Sequence, residues 1–286
     1  MRPTARLLPG DRLHLQHGPS DLILWAEGAR QDAYRAAAAR FETIIAEIVE
    51  ELAALRQMLS PLASRPRGAV ARRMHAACLP LAPVGYLTRM AAVAGSVADE
   101  VLAAMRAGAE LSRAYVNNGG DIALFLAPGT SFDTAIRGHD GADLGRIALA
   151  HGDGVGGIAT SGRHGRSLSM GIADSVTVLA PSAAQADAAA TLIANAVDLP
   201  GHPAITRRPA RAVDDTTDLA DLPVVTGCGP LDPADCARAL AAGRTRARRF
   251  ASQGHITAAA LFLQGRSAMT GGHILSTTGG SLHVQA

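Results

Sequence analysis

Residues 157–196 read GIATSGRHGRSLSMGIADSVTVLAPSAAQADAAATLIANA, and this order of turn, apolar run and capped helix constrains the fold more than any other stretch. The Gly/Ser/Thr-rich turn leads into SVTVLA, an apolar run with the length of a buried strand. Ser182 then opens a helix as its N-cap, with Gln185 three residues on as the capping-box partner. The helix runs to about Val197 and stops before Asp198-Leu199-Pro200. Asp187 and Thr191, four residues apart, project from one helix face about one turn apart. A carboxylate and a hydroxyl so placed can grip a hard cation, and magnesium commonly takes one or two protein carboxylates plus phosphate oxygens. The same spacing suits a structural role, with Asp187 favouring the positive helix N-terminus and Thr191 packing; on spacing alone that role is the better account. Thr160-Ser161-Gly162 in the turn offers hydroxyls and backbone N–H groups to an anion such as phosphate.

Composition narrows the chemistry open to this block. All 27 basic residues are arginine, which excludes a Schiff-base lysine, a P-loop lysine and a kinase-type lysine. Anion contacts therefore fall to arginine or to backbone N–H groups. The net charge of +2 gives no general reason to bind nucleic acid or membrane. With 48% hydrophobic but only 3% aromatic residues, the core is one of Ala, Val, Leu and Ile. No apolar run approaches the ~20 residues that span a bilayer, and MRPTARLLPGDRLHL lacks a signal-peptide apolar region. Cys78, Cys228 and Cys236 have no CxxC spacing and read as small buried hydrophobes in a reducing compartment. The expected location is the cytoplasm.

Along the chain, 12–17 and 22–26 read as a hairpin around Gly18-Pro19-Ser20-Asp21, followed by a long helix over about 29–59 whose acids Glu47, Glu50 and Glu51 form a solvated face. Residues 64–80 form a basic, Pro-containing stretch that reads as a loop near a ligand or, the better account, as a connection. Small residues over 83–106 run into a helix on which Asp99 reads as an ordinary surface acid. RAYVNNGGDIALFL, residues 113–126, is strand–turn–strand. Asn117–Gly120 is open to two accounts, a type I′ turn or a site where Gly119 and Gly120 admit a ligand to the backbone while Asn118 and Asp121 contact it. Residues 128–153 read as loop with a strand at 146–150, and 200–223 as irregular. A short strand at 224–226, a helix over 232–243, an arginine cluster at 244–251 and a buried strand over 256–264 follow, and the Gly-Gly-rich tail holds one or two strands. Aromatics are nearly absent around the arginines, so a solvated or phosphate-facing surface accounts for them better than nucleic acid. Ser161 is not in a G-x-S-x-G elbow, which disfavours a serine hydrolase.

The succession AAVAGSVADEVL, YVNNGGDI, GIATSG and SVTVLAPSAAQADAAATLI, spanning about 91–191, resembles the ApbE-like superfamily. Its characteristic blocks are a Lys-Gly-x-x-x-Asp segment, an N-x-G-G-D/E turn, an A-T-S-G turn, and S-V-T-V followed by A-D-A-x-A-T. Members are magnesium-dependent enzymes that cleave FAD and transfer FMN to a threonine of a target flavoprotein. The resemblance implies an α+β fold of the ApbE-like, T-fold-related type, with antiparallel sheets flanked by helices and a ligand cleft between two intimate halves of one domain, the boundary near 127–150. It places metal binding on Asp187, Thr191 and the Ala91 carbonyl. It places ligand contacts on Ala94, Gly95, Asn117, Asn118, Gly119, Gly120, Thr160, Ser161 and Gly162.

Two departures stand out. The family's lysine falls on Ala94, and its His-x-x-Asp-Pro-x-Thr-Gly segment is replaced by the shorter GRSLSMGIAD of residues 165–174. Asp121, His164 and Asp174 are the candidates for a catalytic base. The expected function is a magnesium-dependent transferase on FAD or a related phosphorylated nucleotide, the alternative a non-catalytic holder of a flavin- or pterin-type ligand. A flavin-type small molecule, a protein acceptor and a second copy of the chain are the partners considered.

Overall fold

The computed structural model describes residues 3–276 and 283–284. The chain forms two compact units. The first takes residues through Phe132 together with Leu149–Ala159 and Ala180–Ala188, and the second takes Asp133–Ala148, Thr160–Leu179 and the residues from Ala189 on.

In the first unit, β1 (Thr4–Leu8), β2 (Arg12–His17), β3 (Ser20–Gly28), β4 (Leu111–Asn118) and β5 (Asp121–Leu126) pair antiparallel in sequence order, and β5 continues onto Ile158 and Gly157 of β8 (Gly157–Ser161). Alternation puts Leu22, Leu24 and Ala26 of β3 inside. Helices α1 (Arg30–Glu50) and α4 (Val93–Gly108) pack together, and α4 also lies on β4 and β5. The buried stripe of α1, from Ala33 through Ala37, Phe41 and Ile44 to Ile48, has helical spacing. The long helix expected over 29–59 breaks at Glu51, where φ is −112° and ψ 7°, and resumes as the single turn α2 (Leu52–Leu55).

The basic connection expected over 64–80 is instead largely a helix, α3 (Ala69–Cys78). The chain entering it is held by Glu51, whose carboxylate accepts from the N–H groups of Arg67 (2.9 Å) and of the N-cap residue Gly68 (2.7 Å). Glu51 thus holds this entry, and Glu47 pairs with Arg40; neither simply faces water. Arg89, 5% exposed, donates to His75 Nδ1 (3.1 Å) and to the carbonyls of Ala54 (3.0 Å) and Ser64 (2.9 Å), tying α2 and α3 together.

In the second unit, β9 (Ser175–Ala180) and β12 (Ala258–Leu263) are buried at every position and pair antiparallel, and β13 (Arg266–Thr270) pairs on the far side of β12. Residues 128–145 hold more strand than expected: β6 (Ser131–Arg137) and β7 (Asp143–Ala150) join β14 (Ile274–Ser276) and β15 (His283–Val284) in a separate sheet. The irregular 200–223 region contributes β10 (Ile205–Pro209), paired with β11 (Pro223–Cys228). The expected helix over 232–243 and the arginine cluster after it are one continuous helix, α6 (Pro233–Ser252), packed on β12 and β13. Helix α5 (Ala183–Ala196) starts in the first unit and ends in the second. The rest of the tail lies outside the described residues. The fold is α+β, with antiparallel sheets and flanking helices.

Candidate functional site

The first turn of α5 is enclosed by backbone. A Cβ on Gly157 would stand 2.0 Å from the Ala183 nitrogen, one on Gly156 2.3 Å from the Pro181 carbonyl oxygen, and one on Gly95 2.3 Å from the Ala183 carbonyl oxygen. Only glycine permits these approaches. Asp99, one turn beyond Gly95 on α4, accepts from the N–H groups of Ala183 (3.1 Å) and Ala184 (2.9 Å). Ser182 Oγ accepts from the Gln185 N–H at 3.2 Å, as its N-cap position requires. Asp99 is therefore no ordinary surface acid. Burial raises its carboxyl above the usual range, against the pull of the two N–H groups.

Asp187 lies further along the same helix. Its Oδ2 accepts from the Gly95 N–H at 3.0 Å, and the Ala94 N–H also holds the carboxylate. The side chain is surrounded by protein atoms, yet part of the residue's surface stays accessible. Burial first, and the Asp121 charge second, raise its carboxyl well above the ordinary range.

Asp121 begins β5 directly after the turn Gly119-Gly120, whose φ values of 66° and 114° fit the tight two-residue hairpin expected there. Asn117 Oδ1 accepts from the Gly120 N–H (2.8 Å), and Asn118, 3% exposed, donates its Nδ2 to the Ala94 carbonyl (3.1 Å). The turn reading describes this segment, and the contacts of Asn118 are to the chain itself: its Nδ2 goes to α4, and its Oδ1 accepts from the Asp21 N–H of β3 at 3.4 Å. Ala91 sits in the 3-10 turn Arg89–Ala92 that leads into α4. Ala94, Gly95, Asn118, Asp121 and Asp187 are brought together in the first unit.

Thr160, Ser161, Gly162, His164, Asp174 and Thr191 belong to the second unit. Thr191 follows Asp187 by one turn of α5 and is half-buried. Thr160 Oγ1 lies 3.0 Å from Thr177 Oγ1, and Gly162, with φ 154°, approaches the Asp174 carbonyl so closely that a Cβ would stand 2.5 Å from its oxygen. Ser161 is half-buried beside them. Asp174 is heavily engaged: Arg163 donates Nε (3.0 Å) and Nη2 (2.6 Å) to Oδ1, the Gln264 N–H donates to Oδ2, and His164 Nε2 stands 3.3 Å away. His164 stacks on His139 with ring centroids 3.7 Å apart. Burial, then the Arg163 and His139 charges, lower the His164 pKa. The three base candidates therefore fall into two groups, Asp121 with Asp187 and His164 with Asp174.

Among the described residues no three His, Cys, Asp or Glu side chains form a metal cluster. A magnesium site made of one carboxylate, a hydroxyl and a carbonyl needs none. The donor chemistry at Asp187 suits such an ion, because desolvation and a second carboxylate disfavour its charge and a cation would favour it.

A cavity in the first unit had escaped the sequence reading. It holds about 370 Å³ and is lined by Phe125, Leu126, His151, Gly152, Val155 and Pro181, among others, within the size range of small-molecule sites. His151 Nδ1 lies 2.8 Å from the Leu126 carbonyl, and the Arg106 guanidinium stacks over Phe125 at 4.1 Å. The signal for it was the glycine run HGDGVGG, in which Gly152 and Gly154 take φ of 98° and 72°.

Fold and site together define an α+β protein with acids gathered where α4 meets the start of α5. The family described as AbpE bacteria matches residues 4–269, and the chain belongs to that family, within the ApbE-like superfamily. Curated relatives share shorter stretches. A UPF0280 protein of Methanococcus vannielii is 42% identical over 115 residues, 37% of this chain and 44% of the relative. A UPF0280 protein of Methanopyrus kandleri is 36% identical over 144 residues, 48% of this chain and 54% of the relative. The chain thus spans about half the length of the curated relatives it matches. Solved structures found similar include an ApbE protein from Thermotoga maritima (TM-score 0.48, 12% identity, 93% of this chain and 96% of that one). Another is the flavin transferase ApbE from Vibrio cholerae (TM-score 0.41, 13% identity, 66% and 87%).

Proposed function

We propose that the protein is a magnesium-dependent transferase acting on FAD or a related phosphorylated nucleotide, with FMN transfer to a protein acceptor as its specific form. The observation that carries the reading is Asp187, a carboxylate enclosed by protein, oriented by the Gly95 and Ala94 N–H groups and set beside Asp121. Family membership supports it. Asp187, Thr191 and the Ala91 carbonyl are the residues proposed to hold magnesium, which would offset the charge of a diphosphate. Thr160, Ser161 and Gly162 offer hydroxyl and N–H donors for phosphate, and Gly119 and Gly120 leave backbone open to a ligand. Asn118 fixes the start of α4 through the Ala94 carbonyl, and so fixes the N–H groups that orient Asp187. Of the base candidates, Asp174 already pairs with Arg163, whereas the lowered pKa of His164 leaves its imidazole neutral and able to accept a proton near pH 7.

A second reading, a non-catalytic holder of a flavin- or pterin-type ligand, is favoured by Ala94, which stands where the family's lysine falls. One experiment separates the two: purified protein is incubated with FAD, with and without magnesium, and AMP and FMN are followed by chromatography. Release of AMP only with magnesium, lost in Asp187→Ala, supports the transferase. FAD bound intact regardless of metal supports the holder, and absence of flavin affinity rejects both.

A further inference from the structure

The second half of α6 carries positive charge that no acid among the described residues pairs with. Asp235 is the one acid in this helix, and it is already engaged by His202 and Arg238. Beyond Gly243 come Arg244, Arg246, Arg248 and Arg249, and none of them, nor Arg266 on β13, joins an ion pair among the described residues. Elsewhere in the chain, Arg40, Arg163 and Arg207 each meet a carboxylate. Cations in a last helical turn are favoured by the helix dipole, but Arg244 stands about two turns before the end of α6, beyond that effect.

Arg244 and Arg266 border one groove of about 180 Å³, floored by Leu240, Ala241 and Ala268. Arg248, four residues after Arg244, continues the same helix face. The groove runs beside β13, a strand whose ladder among the described residues is with β12, so an extended segment can lie along it.

We propose that this groove docks an extended acidic segment of a protein partner, its carboxylates paired with Arg244, Arg248 and Arg266 and its small apolar residues on the floor. Arginine's planar fork matches carboxylate in two-point contacts. Nucleic acid fits less well because the one aromatic of α6, Phe250, is fully buried and offers no stacking platform. A membrane fits less well because the exposed large hydrophobics, Leu7, Val49, Met58, Leu62 and Val213, all lie outside α6 and β13. A compact phosphate leaves the apolar floor uncovered. The inference does not rest on the flavin reading.

The test uses the full chain and a fluorescent ten-residue peptide alternating Glu with Ala and Val, with a scrambled-charge Arg version as control. Anisotropy at low salt is expected to show saturable binding that weakens with salt, at least tenfold weaker for the Arg244→Glu/Arg266→Glu double variant and unchanged for Arg35→Glu. Hydrogen exchange of the unaltered protein is expected to show peptide-dependent protection over residues 266–270, which keeps the test valid if the double variant folds poorly. Equal peptide binding by the variant, no protection of β13, or tighter binding of a single-stranded oligonucleotide, anionic phosphatidylserine vesicles or inorganic phosphate would overturn the proposal.

Discussion

The backbone N–H of Gly95 and the carboxylate of Asp187, 92 residues apart in sequence, meet at 3.0 Å. The contact exists because Gly95 lets α4 pass the first turn of α5 at backbone distance. An alanine there would drive its Cβ to 2.3 Å from the Ala183 carbonyl. Gly95→Ala is therefore expected to cost about 2–3 kcal/mol, read as a fall in the urea midpoint. A midpoint like that of the unaltered protein would show that the helices separate easily.

Asp187→Asn separates stability from function. It removes one of two neighbouring acids while keeping an acceptor for the Gly95 N–H, so the metal-free protein is expected to gain about 1 kcal/mol. Magnesium-dependent release of AMP from FAD is expected to vanish in the same variant. Calorimetry in chelator and the FAD assay check the two halves, and a lower melting temperature would count against the carboxylate pair.

Asp99→Ala removes the acceptor for the Ala183 and Ala184 N–H groups. The loss of a helix cap of this kind costs about 1–2 kcal/mol, and chemical denaturation would report it. Asn in place of Asp99 is expected to recover part of the loss, since its carbonyl oxygen can accept one bond.

His75 makes the fold sensitive to acid. Its Nδ1 accepts from Arg89, and burial, followed by the Arg89 charge, lowers its pKa from the usual 6.5. The unfolded chain then takes up the proton first as pH falls, so the contribution is present above pH 6.5 and is lost below it. Melting temperatures between pH 8 and pH 5 are expected to fall more steeply for the unaltered protein than for His75→Gln. Parallel curves would remove His75 from the account.

Glu100 bridges Arg40 (2.9 Å) and Arg73 (2.7 Å) with its side chain 14% exposed. Glu100→Gln is expected to cost about 2 kcal/mol, because two guanidinium groups lose their shared charge. Thermal unfolding measures it, and a smaller deficit at 1 M salt than at 50 mM would fit the electrostatic origin.

The parts of this molecule written in local pattern were legible. Asn118–Asp121 announces its hairpin through two glycines, SVTVLA its buried strand, and Pro181-Ser182-Ala183-Ala184-Gln185 its helix start. What could not be read depends on partners far along the chain. Helix α3 hid in a basic, proline-bearing stretch because the acceptor that holds its entry, Glu51, comes from the end of α1. Asp99 looked like a surface acid because the N–H groups that it serves lie 84 and 85 residues onward. The strands β6 and β10 and the first residues of β7 were masked by the glycine, aspartate and arginine around them. Within the candidate site, spacing could pair Asp187 with Thr191, but the closeness of Asp121 follows only from the folded hairpin.

The capped start of α5 has one more consequence. Exposed helix N-termini are ready-made anion receptors, but here the Ala183 and Ala184 N–H groups are already committed to a carboxylate of the protein itself. A phosphorylated ligand arriving in this unit finds that socket filled by a tethered competitor. Under the proposed function its charge is met elsewhere, by a cation at Asp187 or by arginine. In a chain without a single lysine, that narrows the choices to a very short set.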